Sequence, residues 1–148
     1  MKKLFATAAF ALFVGLTSFA ADIKVNQRVQ AAFEKEFTTA TNVSWEVLKE
    51  ADDIYHANFT YASEIMEAYF TVDGTLIAAA RHISPDKLPL LVSKSLRENF
   101  SHSTIRQISE YMSPETTSYI VSLDNEKASM LVRIYHNGNS EVLKKTKK

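Results

Sequence analysis

At 148 residues, with 46% apolar side chains and 17 basic residues balanced by 17 acidic ones, the chain is long enough for a self-sufficient core and too near neutrality for nucleic acid to be its main partner. It contains no cysteine, which excludes a disulfide framework, a lipid-anchored lipoprotein and thiolate chemistry. An exported form of such a chain must be held together by packing alone.

Lys2 and Lys3 precede an apolar run from Leu4 to Thr17, and Ser18-Phe19-Ala20 places small residues at its first and third positions. This is the pattern of a signal peptide, with cleavage expected after Ala20 and Ala21 as the alternative. The apolar run falls short of the ~20 residues of a membrane span. Residues 1–20 are therefore read as a leader and 21–148 as the mature domain. It is expected in the periplasm or beyond, without stable membrane insertion once the leader is removed.

From Asp22 to Phe37, Val25, Val29, Ala32, Phe33 and Phe37 recur at steps of three and four, which predicts a helix with one apolar stripe. Val43, Trp45 and Val47 then alternate with Ser44 and Glu46 as a first strand, and Trp45 is expected to anchor the core beneath the helix. A polar turn over Glu50–Asp53 leads to two further alternating runs. One carries Tyr55, Ala57, Phe59 and Tyr61 on one side, and the other Met66, Ala68, Phe70 and Val72. Asp73-Gly74 predicts a tight hairpin, with positive φ at both central residues, into a fourth strand over Thr75–Ala80.

Ser84-Pro85-Asp86-Lys87 interrupts the pattern, and Leu88-Pro89 opens a second helix with Pro89 at its first position. Leu88, Val92, Leu96 and Phe100, with Leu91 beside them, form its expected buried stripe. Four more strands follow. The first, Ile105–Met112, has muddled parity between Ile108 and Tyr111, which suggests a bulge. The others cover Thr117–Leu123, Met130–Tyr135 and, after Asn137-Gly138, Ser140–Lys145.

The two halves match. Phe33 and Phe37 lie 63 residues before Leu96 and Phe100, and Asp73-Gly74 lies 64 before Asn137-Gly138. One unit, a helix followed by four antiparallel strands, thus reads twice, over about residues 22–83 and 84–148. The predicted fold is α+β: an antiparallel sheet of about eight strands with both helices on one face.

The runs Phe33-Glu34-Lys35-Glu36-Phe37, Ala40-Thr41-Asn42-Val43-Ser44-Trp45, Tyr55-x-Ala57-x-Phe59, Ala68-x-Phe70-x-x-Asp73-Gly74 and Leu88-Pro89 resemble those of the PepSY-like, β-lactamase-inhibitor-like family of small exported bacterial proteins. The resemblance spans essentially the whole mature chain. It implies the tandem helix-plus-four-strand fold of the β-lactamase inhibitory protein, which grips an enzyme with its open sheet face and loops. None of that inhibitor's gripping residues matches a position here, so the resemblance carries the fold and not the inhibition.

Catalytic constellations are missing from the sequence. No pair among His56, His82, His102 and His136 has the helical spacing of a zinc site, and no serine sits in a Gly-x-Ser-x-Gly elbow. Three glycines, one of them in the leader, exclude a phosphate-cradling loop. The expectation is a non-enzyme with no cofactor and no metal site. The basic tail Lys144, Lys145, Lys147, Lys148 reads as a solvated strand end. What remains is the sheet face that the helices leave open, where alternation places His56, Glu67, Tyr69, Arg81, Arg133 and Tyr135. Tyrosine and arginine are the residue types enriched at binding hot spots. The expected partner is a protein of unknown identity, with an inhibited periplasmic or secreted enzyme as one form and a homodimer through this face or the sheet edge as another. A small ligand held between helices and sheet is the alternative.

Overall fold

A computed structural model describes residues 23–49 and 53–148. The expected leader lies outside the described residues, as does most of the first polar turn. The element order is α1 (Gln27–Glu36), β1 (Thr41–Lys49), β2 (Asp53–Tyr61), β3 (Glu64–Thr71), β4 (Leu76–His82), a 3-10 turn (Pro85–Lys87), α2 (Leu90–Asn99), β5 (Thr104–Met112), β6 (Thr117–Asp124), β7 (Ala128–Tyr135) and β8 (Ser140–Lys147). All eight strands form one antiparallel sheet in chain order.

The cross-strand register shows that both helices lie on one face. Met66, Arg81, Glu110, Tyr119 and Ile134 are successive partners across β3 to β7, so they share a side of the sheet. At one end of that row Met66 packs on the core beneath α1, where Val29 and Phe33 meet Ala57, Phe59, Ala68 and Phe70. At the other end Tyr119 and Ile134 belong to the core beneath α2, with Val92, Leu96, Val121, Leu123 and Val132. The first core is aromatic. Phe33 meets Phe59 edge-on at 4.9 Å and Trp45 at 5.2 Å, and Phe37 lies 4.6 Å from Phe59. The second is built of branched aliphatics, which is the volume left when β6 and β7 supply Val121, Leu123, Val132 and Ile134 in place of two phenylalanines and two alanines.

α1 begins later than its apolar periodicity predicts. Asn26 caps it: its Oδ1 accepts from the Arg28 N–H at 2.9 Å, while its Nδ2 donates to the Val72 carbonyl, also at 2.9 Å. α2 likewise starts one residue after Pro89, which stands at the N-cap, and Leu91 points away from the core, half exposed.

The hairpin glycines serve a different turn from the one expected. Gly74 N–H donates to Thr71 O and Thr71 N–H to Thr75 O, with the same pair of bonds linking Gly138, Tyr135 and Asn139. Only the glycines, at φ +88° and +89°, are left-handed; Asp73 and Asn137 are not. This is a turn closed by a single left-handed glycine. Each glycine also lies under the first turn of a helix. A Cβ would stand 2.7 Å from the Arg28 carbonyl oxygen at Gly74 and 3.1 Å from that of Leu91 at Gly138. The glycines therefore let a hairpin tuck against a helix start.

Two consecutive positive-φ residues occur elsewhere, at Ala62 (φ +49°) and Ser63 (φ +66°), between β2 and β3. Neither is glycine or asparagine, so the turn carries backbone strain. Replacing Ala62 with Asn and Ser63 with Gly is expected to stabilise the protein by about 1 kcal/mol. Urea unfolding checks this, and an unchanged or lower midpoint would show that the strain is absent.

Candidate partner-binding face

The face that neither helix covers carries a ribbon of aromatic and charged side chains. Its parity follows from the register: Glu46 pairs His56, His56 pairs Tyr69, and Tyr69 pairs Ala78. Further along, Ala80 pairs Tyr111, Tyr111 pairs Ser118, and Ser118 pairs Tyr135. A third row runs Ser109, Ile120, Arg133 and Glu141.

Five of the six residues expected here are here: His56, Glu67, Tyr69, Arg133 and Tyr135. Arg81 is not. The β3–β4 pairing shifts register between Tyr69 and Phe70, so Ile77 is passed over and the parity of β4 inverts. Ala78, Ala80 and His82 take the open face in place of Ile77, Ala79 and Arg81. Arg81 turns to the helix side, where its Nε donates to Glu110 Oε2 at 2.7 Å and its Nη1 to Glu64 Oε2 at 3.1 Å. Tyr119 OH donates to Glu110 Oε1 at 3.2 Å. Arg81 thus bridges β3, β4 and β5 at the seam between the two cores.

The face also carries Glu46, His82, Tyr111 and Glu141, which sequence alternation did not place there. Tyr111 was masked by the mixed parity of its strand. The register shift in β5 lies between Ile105 and Gln107, upstream of Ile108, so Ile108 and Tyr111 do face opposite sides. The alanines of β4 make room above themselves, and the Tyr69 and Tyr111 rings, from strands on either side of β4, come within 6.1 Å.

Electrostatically the ribbon begins with a clamp. His56 Nδ1 lies 2.5 Å from Glu46 Oε1 and His56 Nε2 lies 3.2 Å from Glu67 Oε2. The Tyr69 hydroxyl donates to the same Glu67 oxygen at 2.6 Å, and the Tyr69 ring stacks on the His56 ring at 4.5 Å and 10°. With a carboxylate at each nitrogen, both are placed to be donors, which favours the imidazolium. Burial is the largest single influence and works against that charge, but the two glutamates outweigh it and the His56 pKa is raised. Burial pushes Glu67 the other way, and hydrogen bonds from His56 and Tyr69 overcome it, so its pKa is lowered. Burial, then the Glu67 charge, holds the proton on Tyr69, which is 3% exposed.

At the far end, one Glu141 oxygen, Oε1, accepts from both Arg133 Nη1 at 3.2 Å and Tyr135 OH at 2.9 Å. Burial raises the Tyr111 pKa, with the Arg133 charge opposing it, which places Arg133 in electrostatic reach of β5. His82 Nδ1 stands 3.1 Å from both Ser109 Oγ and Gln107 Nε2. Among the described residues no carboxylate hydrogen-bonds to His82, so this serine–histidine contact lacks the orienting acid of a catalytic triad.

Two hollows lie away from this face. An open groove of about 450 Å³ between α1 and β1 is lined by Ile23, Val25, Phe33, Phe37, Val43 and Trp45 among others. A wider cleft of about 810 Å³ is bordered by His102, Asn125–Ala128, Lys145 and Lys147. Among the described residues, no cluster of three or more His, Cys, Asp or Glu is placed to hold a metal, and no helix is long and apolar enough to cross a membrane.

Solved structures share this architecture. A BLIP-like protein from Bacteroides fragilis NCTC 9343 superposes with a TM-score of 0.69 at 18% identity, covering 84% of this chain and 87% of its own. The fold is BLIP-like. A protein of Bacteroides eggerthii DSM 20697 described as periplasmic gives a TM-score of 0.70 at 20% identity, covering 88% and 90%. A DUF2874 family protein from Bacteroides uniformis ATCC 8492 gives 0.71 at 16% identity, covering 87% and 90%. At such identities the likeness is one of fold. No family model matches the chain, and neither does any curated protein.

The clamp makes a signed prediction. His56, with its pKa raised above 6.5, contributes stability that is complete below about pH 6.5 and is lost as pH rises through the raised value. Glu67, lowered from 4.5, contributes stability that is complete above about pH 4.5 and is lost as pH falls through the lowered value. The BLIP-like sheet should therefore be firmest between these limits, and its melting temperature should decline from pH 6.5 to pH 9. Replacing His56 with Gln should flatten that decline. Parallel slopes in the two proteins would rule the clamp out as its source.

Proposed function

We propose that the chain is an exported, non-enzymatic binding module that docks a protein partner on the open face of its BLIP-like sheet. The observation that carries this reading is the ribbon itself: Tyr111 and Tyr135 partly exposed on a rigid sheet, with the largely buried Tyr69, Arg133, His56 and Glu67 completing it. Large amphipathic rings and a guanidinium on a preorganised surface lose little entropy on binding and dominate interface energetics. The signal-like N-terminus and the likeness to a Bacteroides eggerthii protein described as periplasmic support a periplasmic or secreted setting. Near-neutral charge argues for protein over nucleic acid.

A capture experiment tests it. Immobilised wild-type protein and a Tyr111→Ser/Tyr135→Ser variant are exposed to periplasmic extract from the native host. A Lys94→Ala/Arg97→Ala variant, altered on the exposed side of α2, serves as control. Circular dichroism verifies that all three are folded. A specific partner should be retained by wild type and control and reduced at least about tenfold by the tyrosine variant. Equal retention by all three would remove the open face from the interface.

A second reading rests on the groove between α1 and β1, whose aromatic and aliphatic lining suits a small apolar ligand. The single tryptophan, Trp45, lies on its wall. Binding of an apolar probe such as a medium-chain fatty acid should shift Trp45 emission to shorter wavelength in a saturable way. Emission that does not change across a millimolar titration would eliminate this reading.

A further inference from the structure

The end of the ribbon at β7 and β8 is organised as a hydrogen-bond donor site already filled by an acceptor side chain of the protein. Arg133 is nine-tenths buried, its side chain 10% exposed, while its partner Glu141 is 43% exposed. A guanidinium has five N–H donors. Among the described residues Arg133 spends one of them, Nη1, on a single Glu141 oxygen, and its buried Nε has no acceptor. That same oxygen also takes the Tyr135 hydroxyl proton. Two donors from β7 positions on the same face therefore converge on one carboxylate oxygen, held by a side chain that is itself nearly half in solvent. The arrangement uses less than the bidentate capacity of arginine, which matches a carboxylate with two parallel bonds.

We propose that Arg133 is the anchor for an aspartate or glutamate carried on a loop of a protein partner, and that Glu141 occupies this position in the free protein. The proposal rests on the open face being the docking surface. Charge complementarity selects an acidic group, since the buried cation is incompletely paired and Tyr135 donates to the same oxygen beside it. The extent of the ribbon selects a protein loop over a free acid. The partly exposed Tyr111 on β5 and Tyr135 on β7 are two strands apart, about 10 Å at the usual strand spacing, a span that a small carboxylic acid does not cover. On docking, the incoming carboxylate takes the bonds from Arg133 and Tyr135 and Glu141 swings out to water. Glu141 thereby acts as an internal competitor, which lowers affinity for acidic loops and excludes loops that bring no acid.

A library of eight random residues closed by a disulfide, displayed on phage, is selected against the folded chain. Loops that lose binding to the Tyr111→Ser/Tyr135→Ser variant are kept as face-directed. These loops should share an aspartate or glutamate, and changing it to Asn or Gln should weaken binding at least tenfold. Arg133→Lys should do the same, since an ammonium does not reproduce the fork. Arg133 is buried, so its substitution is paired with one at Glu141, on the exposed edge strand. Glu141→Gln should tighten the acidic loops several-fold, an effect that a merely structural role for Glu141 does not produce. The proposal falls if face-directed loops carry no acid, if Glu141→Gln leaves binding unchanged or weaker, or if free acetate competes as well as the loop's own acidic residue. If no selected loop is face-directed, the binding-face reading itself fails and takes this proposal with it. Acid-free face-directed loops would sink the anchor while leaving the binding face standing.

Discussion

Strand parity is the constraint on which the rest of this molecule depends. A residue in a strand has two choices, the helix side or the open side, and its neighbours follow from it. Parity is reset only where the register slips, and here it slips in four pairings: β1–β2, β3–β4, β5–β6 and β7–β8. The first and third pairing of each group of four strands carries one such shift. Each bends its strand and adds twist, which lets eight strands continue as one sheet while both helices keep a single face covered. The shift in β4 has a chemical consequence. It sends Arg81 to the seam between the two cores and puts alanines where the Tyr69 and Tyr111 rings need room.

The fold was legible because its signals are redundant. Helical stripes at Val29 and Phe33 and at Val92 and Leu96, alternation at Tyr55–Tyr61, and the equal spacing of Asp73-Gly74 and Asn137-Gly138 all point to the same arrangement. What could not be read were events that one residue decides. Nothing in Leu76-Ile77-Ala78-Ala79-Ala80-Arg81 marks Ile77 as the skipped residue, because apolar residues on both sides erase the alternation. The left-handed turn at Ala62-Ser63 carries neither Gly nor Asn, so its strongest marker is missing. Tyr111 was hidden for the opposite reason: a bulge was suspected in its strand, and the true one lies upstream of Ile108. The open face was therefore correct in outline, wrong at Arg81, and without Glu46, His82, Tyr111 and Glu141.

The ribbon also explains how charged groups persist on a sheet with little solvent around them. An isolated buried carboxylate or imidazolium is expensive, and pairing recovers the cost only when the hydrogen-bonding capacity is used. At the β1–β3 end this condition is met, because His56 satisfies two glutamates and Tyr69 adds a second bond to Glu67. At the β7–β8 end it is not met, because Arg133 keeps an unanswered Nε and a shared, half-exposed partner. One end is a closed network that rigidifies the sheet, and the other has capacity to spare. A surface for recognition needs both, a scaffold that does not move and a group whose partners are exchangeable.

The edges of the sheet offer a competing way to dock, since an unpaired strand can accept another strand. Both edges are blunted. β1 begins with a register shift at Thr41–Ser44, with Asn42 at φ +53°, which turns its outer rim away from a straight ladder. β8 ends in Lys144, Lys145 and Lys147, exposed and followed by Lys148, whose mutual repulsion resists pairing with a like edge. Lys148 is in turn tied to Asp124 at 3.0 Å, which holds the end of the chain against β6. With the helix face filled by two cores and both rims discouraged from strand addition, the surface left with directional, incompletely satisfied chemistry is the open face around Arg133.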